Sequence, residues 1–402
     1  MVNVVIDELK QIPLSKQRIE ICERKGLGHP DFICDSIMDE VSIALSKEYL
    51  KRFGSIMHHN IDKGLLVAGE VERKFGGGKV IKPMLLVFGD RATFNVDNEQ
   101  IPVEEIAIKT AKEWFKKHLR FVDPEVHVKY QVELKRGAES LVDIFKRKGE
   151  FLGANDTSAA VGYAPMTETE KLVLEIEKFL NGKEFKKEHP ETGEDVKVMA
   201  LRKNKELNLT IAMAFVDKFI ESESAYFKRK EEILEELNQF VKSKTTMENI
   251  EIDLNTLDMR GRGMAGMYLT VLGTSADDGD CGQVGRGNRV SGVIPLNRPV
   301  GSEAAAGKNP VSHVGKIYTI LTYRIAEDIY KKVPGIQEVY VWLLSQIGKP
   351  INMPKIASVQ LILDPLTSIK NVSSDVEDIV KGNLDNLKKF CMDLAYGKYP
   401  VC

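Results

Sequence analysis

The chain has 402 residues, with 57 Lys and Arg against 59 Asp and Glu (formal net charge −2), and it is 43% hydrophobic and 29% charged. That is globular composition in a chain too long for one compact core, which excludes a disordered or fibrous protein and implies two or three domains. The near-neutral balance gives nucleic-acid binding no support, and the acidic N-terminus and short apolar runs suit neither a signal peptide nor a membrane span, so a cytoplasmic protein is expected. The five cysteines are scattered, with no Cys-x-x-Cys pair, which argues against a disulfide framework or a zinc site.

In chain order, the first predicted helix runs from about Pro30 to Phe53, because Ile33, Ile37, Val41 and Leu45 recur every four residues as one buried stripe. Strands follow at Lys63–Val71 and Lys82–Asn95, joined through Gly76-Gly77-Gly78. A helix comes next from Pro102 to Leu119, then an alternating strand at Glu125–Leu134. The middle third repeats the theme, with helices at Thr167–Leu180 and Ser222–Lys244 and strands at Lys197–Leu201 and Leu207–Val216. The polar, turn-rich stretch from Lys183 to Asp195 reads as a loop or hairpin excursion, and the Lys228–Glu236 charge run as a solvated helix face. The last third has strands at Met267–Gly273, Glu338–Ile347 and Ile356–Leu363, and helices at about Val311–Val333 and Ser374–Tyr396. Strands joined by short turns imply hairpins, so the expected class is α+β: three similar α/β modules with mostly antiparallel or mixed sheets covered by helices. Approximate, interleaved modules are expected over residues 1–135, 136–265 and 266–402.

Five segments can carry chemistry. In GLGHPDFICDSIMDE, Pro30 suits a first helical turn, which puts His29 and Asp31 at a helix N-terminus where backbone N–H groups favour an anion. Asp31, Asp35 and Asp39 share a face; Asp35 and Asp39 read as a solvated carboxylate stripe, whereas His29 and Asp31 look positioned. The segment from Gly273 to Arg289 follows a strand and holds five glycines, three aspartates and two arginines. Arg286 and Arg289 suit phosphate oxygens, and Asp277, Asp278 and Asp280 suit Mg²⁺ or a ligand ammonium. The loop lacks the aspartate spacing and closing Glu of an EF-hand. The segment from Gly301 to Lys316 is not a Walker A loop, since five residues separate Gly301 from Gly307 and Asn309 follows Lys308. Lys308 still stands in a flexible turn before a helix and can meet phosphate, while His313 and Lys316, each taken alone, fit surface decoration. In Phe151–Pro165, Asp156 is either a cap or an acidic tip near a ligand. In KRGAESLVD, Lys135 and Arg136 precede Gly137, with Ser140 near a short helix, and the segment either binds phosphate or is simply capped.

Together these segments resemble methionine adenosyltransferase (S-adenosylmethionine synthetase), in its divergent archaeal-type branch. The resemblance spans nearly the whole chain and is carried by GHPDFICDSIMD, KGLLVAGEV, GANDTSAAVGYA with TETE, GDCGQVGR and AAAGKNP, in family order. It implies synthesis of S-adenosylmethionine from ATP and L-methionine, with the tripolyphosphate product hydrolysed to phosphate and pyrophosphate, in a homodimer with shared active sites. By that resemblance His29 lies against the polyphosphate near the reacting 5′ carbon, Asp31 binds Mg²⁺, and Asp156 contacts methionine. Asp280 lies in the nucleotide or methionine site, and Arg286 and Lys308 grip phosphates. Gly137, Glu139, Ser140, Arg289 and His313 join the substrate-binding set. A further family lysine maps to Lys205 or to Glu206, depending on a one-residue gap.

Departures from the bacterial and eukaryotic pattern accompany the match. Phe32 stands where that branch has Lys after the GHPD aspartate, and Gly287 where a Lys follows Arg, with Arg289 the candidate substitute. His313 falls near the place of a second lysine beyond GKDP. The acidic monovalent-cation ligand is replaced near His58-His59-Asn60, so K⁺ dependence is left open, as is the second metal ligand. The expected chemistry matches the residues: a thioether sulfur needs no general base, whereas the departing polyphosphate needs alignment and cations. A kinase or triphosphatase using the same phosphate grip, and a non-catalytic ATP-binding regulator, are the competing readings. Dependence of phosphate release on methionine separates them.

Overall fold

A computed structural model describes residues 2–145 and 151–402. Its helices, in chain order, are α1 (Pro30–Phe53), α2 (Val103–His118), α3 (Glu139–Ile144), α4 (Glu168–Leu180), α5 (Lys183–Glu188), α6 (Glu223–Lys244), α7 (Val314–Lys332), α8 (Ile369–Asp385) and α9 (Leu387–Ala395). Three larger sheets hold the strands. One orders Val4–Glu8, Ile356–Leu363, Ile336–Leu344 and Ala159–Ala164. A second orders Val128–Arg136, Met84–Ala92, Leu65–Val67 and Gly282–Gln283, with His59–Asn60 on Met84–Ala92. The third orders Asn249–Leu254, Glu206–Val216, Thr192–Lys203, Ile19–Lys25 and Ile294–Pro295, with Leu269–Thr270 on Glu206–Val216. Antiparallel pairings such as Thr192–Lys203 on Glu206–Val216 coexist with parallel ones such as Val128–Arg136 on Met84–Ala92. The class is α+β with mixed sheets, as the strand spacing implied. Each sheet draws strands from distant parts of the chain.

Helix α1 is the axis of the molecule. His29 caps its start by accepting the Asp31 N–H at Nδ1, Pro30 occupies the first helical position, and Gly54 closes it in the left-handed region. Ile33, Ile37, Val41 and Leu45 are fully buried in a core shared with α7 and the first two sheets. A second core lies between the third sheet and helices α4 and α6, where Leu172, Ile176, Val198, Ile211 and Leu237 meet.

Several expectations fail locally. The Lys183–Asp195 stretch is not a loop: it forms α5 and then enters the strand Thr192–Lys203. Its charges are partnered, with Lys186 Nζ donating to the Gly193 carbonyl at 2.6 Å and Glu194 paired with Arg120. The strand expected at Met267–Gly273 shrinks to Leu269–Thr270, because the Asp277 carboxylate takes the N–H groups of Val271 (2.7 Å) and Leu272 (2.9 Å) into a turn. The C-terminal helix is two helices, broken at Asn386, and the first begins at Ile369.

Candidate active site

The α1 mouth is assembled by the Gly-rich segment. Thr274 Oγ1 donates to the Gly28 carbonyl at 2.7 Å, which brings residues 273–289 across the start of the helix. The Gln283 N–H then reaches Asp31 Oδ1 at 2.9 Å, and the Gly285 N–H reaches Asp35 Oδ1 at 2.9 Å. Gly282 must be glycine, because a Cβ there would overlap the Pro30 carbonyl and the Asp31 nitrogen. Asp31 is 5% exposed, and its Oδ2 also meets Lys25 Nζ at 2.8 Å, while the same ammonium donates to the Arg286 carbonyl at 2.8 Å. The side chain of Asn288 clamps Lys25 by accepting its N–H (3.0 Å) and donating to its carbonyl (2.8 Å).

Burial pushes the His29 imidazole down to about 4, the nearby Asp31 charge opposing and Lys25 adding to the depression. Near neutral pH it is therefore uncharged. Because Nδ1 accepts from Asp31 N at 3.2 Å, its proton sits on Nε2, a donor free for a ligand oxygen. Arg286 and Asp280 are exposed at this mouth, and Asp280 Oδ1 accepts the Cys281 N–H at 2.9 Å. Arg289 is half-buried, with Nη2 at 3.4 Å from the Gly285 carbonyl.

Asp35 and Asp39 do not form the solvated stripe that the sequence suggested. They are 2% and 7% exposed, covered by the Gly-rich segments. Burial lifts Asp35 to about 7 against the bond from Gly285. Asp39 Oδ1 takes Lys316 Nζ at 2.6 Å and the Gly307 N–H at 3.2 Å. Asp31, Asp35 and Asp39, one turn apart, thus each anchor a backbone N–H of a Gly-rich segment. From Asp31 to Asp39 this comb spans ~12 Å of helix.

At its other end lies the α7 mouth. His313 caps α7 through Nδ1, accepting the Gly315 N–H at 3.1 Å, and burial lowers it to about 3, with Lys308 adding to the depression. Lys308, 2% exposed, lies 2.6 Å from Asp62 Oδ2 and 3.1 Å from Glu303 Oε2. Burial raises the Asp62 carboxyl, but Lys308 and the bonds around it prevail and hold it below the usual range. Burial and the Asp62 carboxylate beside it lift Asp90 to about 6. His313 and Lys316 are both buried, not surface decoration, because the Asp39 comb draws this turn inward.

Of the other expected residues, Asp156 is exposed next to the α7 mouth, since Asn155 accepts the Val314 N–H and donates its own N–H to the Ser312 carbonyl. Gly137 and Glu139 line a cavity of about 850 Å³ with Thr93, Arg136 and Val142, and Gly137 lies against the His58 ring. The Ser140 side chain lies outside the described residues. Lys205 is not brought to either mouth: it sits in the turn after Thr192–Lys203, paired with Glu248, ~30 Å along the strand from Glu194, whose carbonyl accepts the Gly28 N–H. Asp277 closes its own turn and Asp278 pairs with Arg73, which leaves Asp280 as the exposed aspartate of the three.

Sequence reasoning missed Lys25, Asp62, Glu303 and the anchoring of Asp35 and Asp39. It also missed Asp195, buried and lifted by burial to about 6, whose Oδ2 holds the Ser275 N–H (2.8 Å) and hydroxyl (2.5 Å) at the root of the Asp280 turn. The four-residue spacing was the one available signal for Asp35 and Asp39. Lys25 had none, being the last residue of an alternating strand.

The profile of the family described as S-adenosylmethionine synthetase (AdoMet synthetase) matches residues 2–398. The chain is 48% identical over 389 residues to the S-adenosylmethionine synthase of Pyrococcus furiosus, covering 96% of each chain. It is 44% identical over 398 residues to that of Methanothermobacter thermautotrophicus, covering 99% of each. It is 45% identical over 407 residues to a probable S-adenosylmethionine synthase of Aquifex aeolicus, covering all of both. Its fold is similar to that of an unusual S-adenosylmethionine synthetase from Campylobacter jejuni, with TM-score 0.61 at 16% identity over 94% of each chain.

Proposed function

This chain belongs to the S-adenosylmethionine synthetase family and is an ATP:L-methionine S-adenosyltransferase, and we propose that it releases its polyphosphate product as phosphate and pyrophosphate from a site strung between the α1 and α7 mouths. The observation that carries this reading is the seating of the Gly-rich segment on α1, which gathers Asp31, His29, Lys25 and Arg286 at one helix N-terminus. A helix mouth with inward N–H groups and cations suits an anion, and a chain of phosphates needs such cations along its length.

The thioether sulfur attacks the ribose 5′ carbon as a neutral nucleophile, and the C5′–O bond breaks as the polyphosphate takes the electron pair. No proton needs removing from sulfur. The protein's task is to hold the reactants in line and to stabilise charge on the leaving oxygen. His29, neutral with its proton on Nε2, donates to that oxygen instead of acting as a base. Arg286 grips one end of the polyphosphate and Lys308 the other, with Arg289 and His313 lining the path. Asp156 takes the methionine ammonium beside α7, and Gly137 and Glu139 border the nucleotide.

The donor set suits Mg²⁺, a hard cation that takes carboxylate oxygens: Asp31 retains unused lone pairs, and Asp280 is exposed at the same mouth. When bound, Mg²⁺ would neutralise polyphosphate charge. His59, near the place of the family's acidic monovalent-cation ligand, is buried, pushed down to about 3 by burial, and bonded to Ser42 at 2.9 Å. That fits hydrogen bonding, so no potassium step is assigned to it. The exposed positions of Arg286 and Asp156 suit a site completed by a second subunit of a homodimer. A fully active monomer, assayed at the concentration used for sedimentation, would contradict that part. No helix among the described residues is long and apolar enough to cross a membrane.

Incubation with ATP, Mg²⁺ and methionine tests the whole reading. S-adenosylmethionine should appear with phosphate and pyrophosphate in equal amounts. Phosphate release that ignores methionine would instead support a triphosphatase.

A further inference from the structure

Three lysines of the two mouths are paired with aspartate, but they are not equivalent. The side chains of Lys308 and Lys316 are 3% and 2% exposed, and each neutralises a carboxylate sealed inside the protein. The Lys25 side chain is 13% exposed, on the rim above Asp31. Its backbone is fixed on both sides by Asn288, so the four-carbon stem is the mobile part. Of its three ammonium hydrogens, one goes to Asp31 Oδ2 and one to the carbonyl of Arg286, which leaves one for a ligand.

We propose that Lys25 is a catalytic residue whose ammonium transfers from Asp31 to an oxygen of the bound polyphosphate; this rests on reading the α1 mouth as the polyphosphate site. The reason is electrostatic. With the Gln283 N–H on Oδ1 and Lys25 on Oδ2, a divalent cation held by this carboxylate would share it with the Lys25 ammonium at close range. Two cations on one carboxylate repel strongly at that range, and the pair becomes favourable only when an anionic oxygen lies between them. Polyphosphate and metal would thus favour the same rearrangement: Asp31 would hold the metal, and Lys25 would turn outward to phosphate beside Arg286. In the free protein the Lys25 ion pair keeps the Asp31 charge compensated. Lys197, paired with Lys25 across the sheet, is held by Glu23 at 3.1 Å, although its charge also reaches His29.

The test uses the full-length protein carrying Lys25→Met, with inorganic tripolyphosphate plus Mg²⁺ as the binding probe in calorimetry. Turnover should fall about 100-fold. Tripolyphosphate affinity should fall at least ~10-fold with the KM for methionine little changed, the melting temperature should drop because Asp31 loses its compensating charge, and Lys25→Arg should recover part of these losses. Normal turnover in a folded Lys25→Met would overturn the proposal. So would lost turnover with unchanged tripolyphosphate affinity, which would make Lys25 a positioning residue for Asp31. An equal loss in Lys197→Met would reduce the effect to net charge and overturn it as well. If the wild-type protein forms no S-adenosylmethionine, the proposed function fails, while the tripolyphosphate comparison still decides Lys25.

Discussion

At the mouths of α1 and α7 a histidine Nδ1 caps the helix by accepting the N–H two residues on, and a lysine ammonium lies against an aspartate. The surroundings then diverge. At α1 the lysine sits on the rim and the second cation, Arg286, is exposed, beside the carboxylate we propose as the metal ligand. At α7 the lysine is sealed between Asp62 and Glu303, with Lys63 at 2.7 Å on the other Asp62 oxygen. The same local motif therefore yields an open pole and a closed one, and on the proposed function the closed pole's lysine must exchange carboxylates for phosphate. The Asp31–Asp35–Asp39 comb holds the two poles at fixed spacing along one helix.

The contrast breaks most visibly at the two phosphate cations. Lys308→Ala should cut turnover about 100- to 1000-fold. It should also destabilise the fold by about 3 kcal/mol, at the low end for orphaning a buried charge because Lys63 still attends Asp62. Arg286→Ala should cost similar turnover, about 100- to 1000-fold, but leave denaturant stability nearly unchanged, since its side chain is exposed. Near-normal rates in both variants would remove the phosphate grip; equal stability losses would remove the open-versus-closed distinction.

The acid side of the stability profile sharpens the comparison further. The folded His313 titrates at about 3 and His29 at about 4, both below the ordinary value of 6.5. Their contribution is fully present above the unfolded value and is lost as pH falls from 6.5 towards the folded values. Between pH 7 and pH 5 the ligand-free protein should lose about 2 kcal/mol through each histidine. In His313→Asn, which keeps an acceptor for the Gly315 N–H, urea unfolding at the two pH values should show one such loss missing. An unaltered pH slope would mean that His313 is not held neutral by burial. The smallest effect is expected at Lys205, whose exposed pair with Glu248 contributes little. Lys205→Ala should keep initial rates within about twofold, and a large loss would mean that the sheet's far end reaches a site in another subunit.

The bounds of α1 were legible because its first-turn proline and its apolar stripe are local signals, whereas the capping role of His29 was not read from them. The carboxylate comb was visible as spacing but not as burial. Its covering groups come from Gln283, Gly285 and Gly307, some 250 residues away or more, and no local pattern announces them. The Lys183–Asp195 stretch misled for the complementary reason. Polarity there reads as solvent exposure, whereas Glu191, Glu194 and Asp195 are buried against Arg120, Lys186 and Ser275. The Gly-rich segments read as ligand-approaching turns, whereas Gly282 is required for approach to the protein's own helix, as only a residue without Cβ fits over Pro30. Lys25 stayed hidden because a strand-end lysine is ordinary until the fold sets Asp31 beneath it.

Asp31 is where the α1 mouth differs most from its counterpart, and a metal titration of turnover in Asp31→Asn against the wild type tests that difference directly. The amide keeps the shape and an oxygen for the Gln283 N–H but loses the charge. The expected result is a half-saturating Mg²⁺ concentration raised at least ~10-fold, with activity partly recovered at high metal. Superimposable titration curves would contradict a metal-bearing pole at α1.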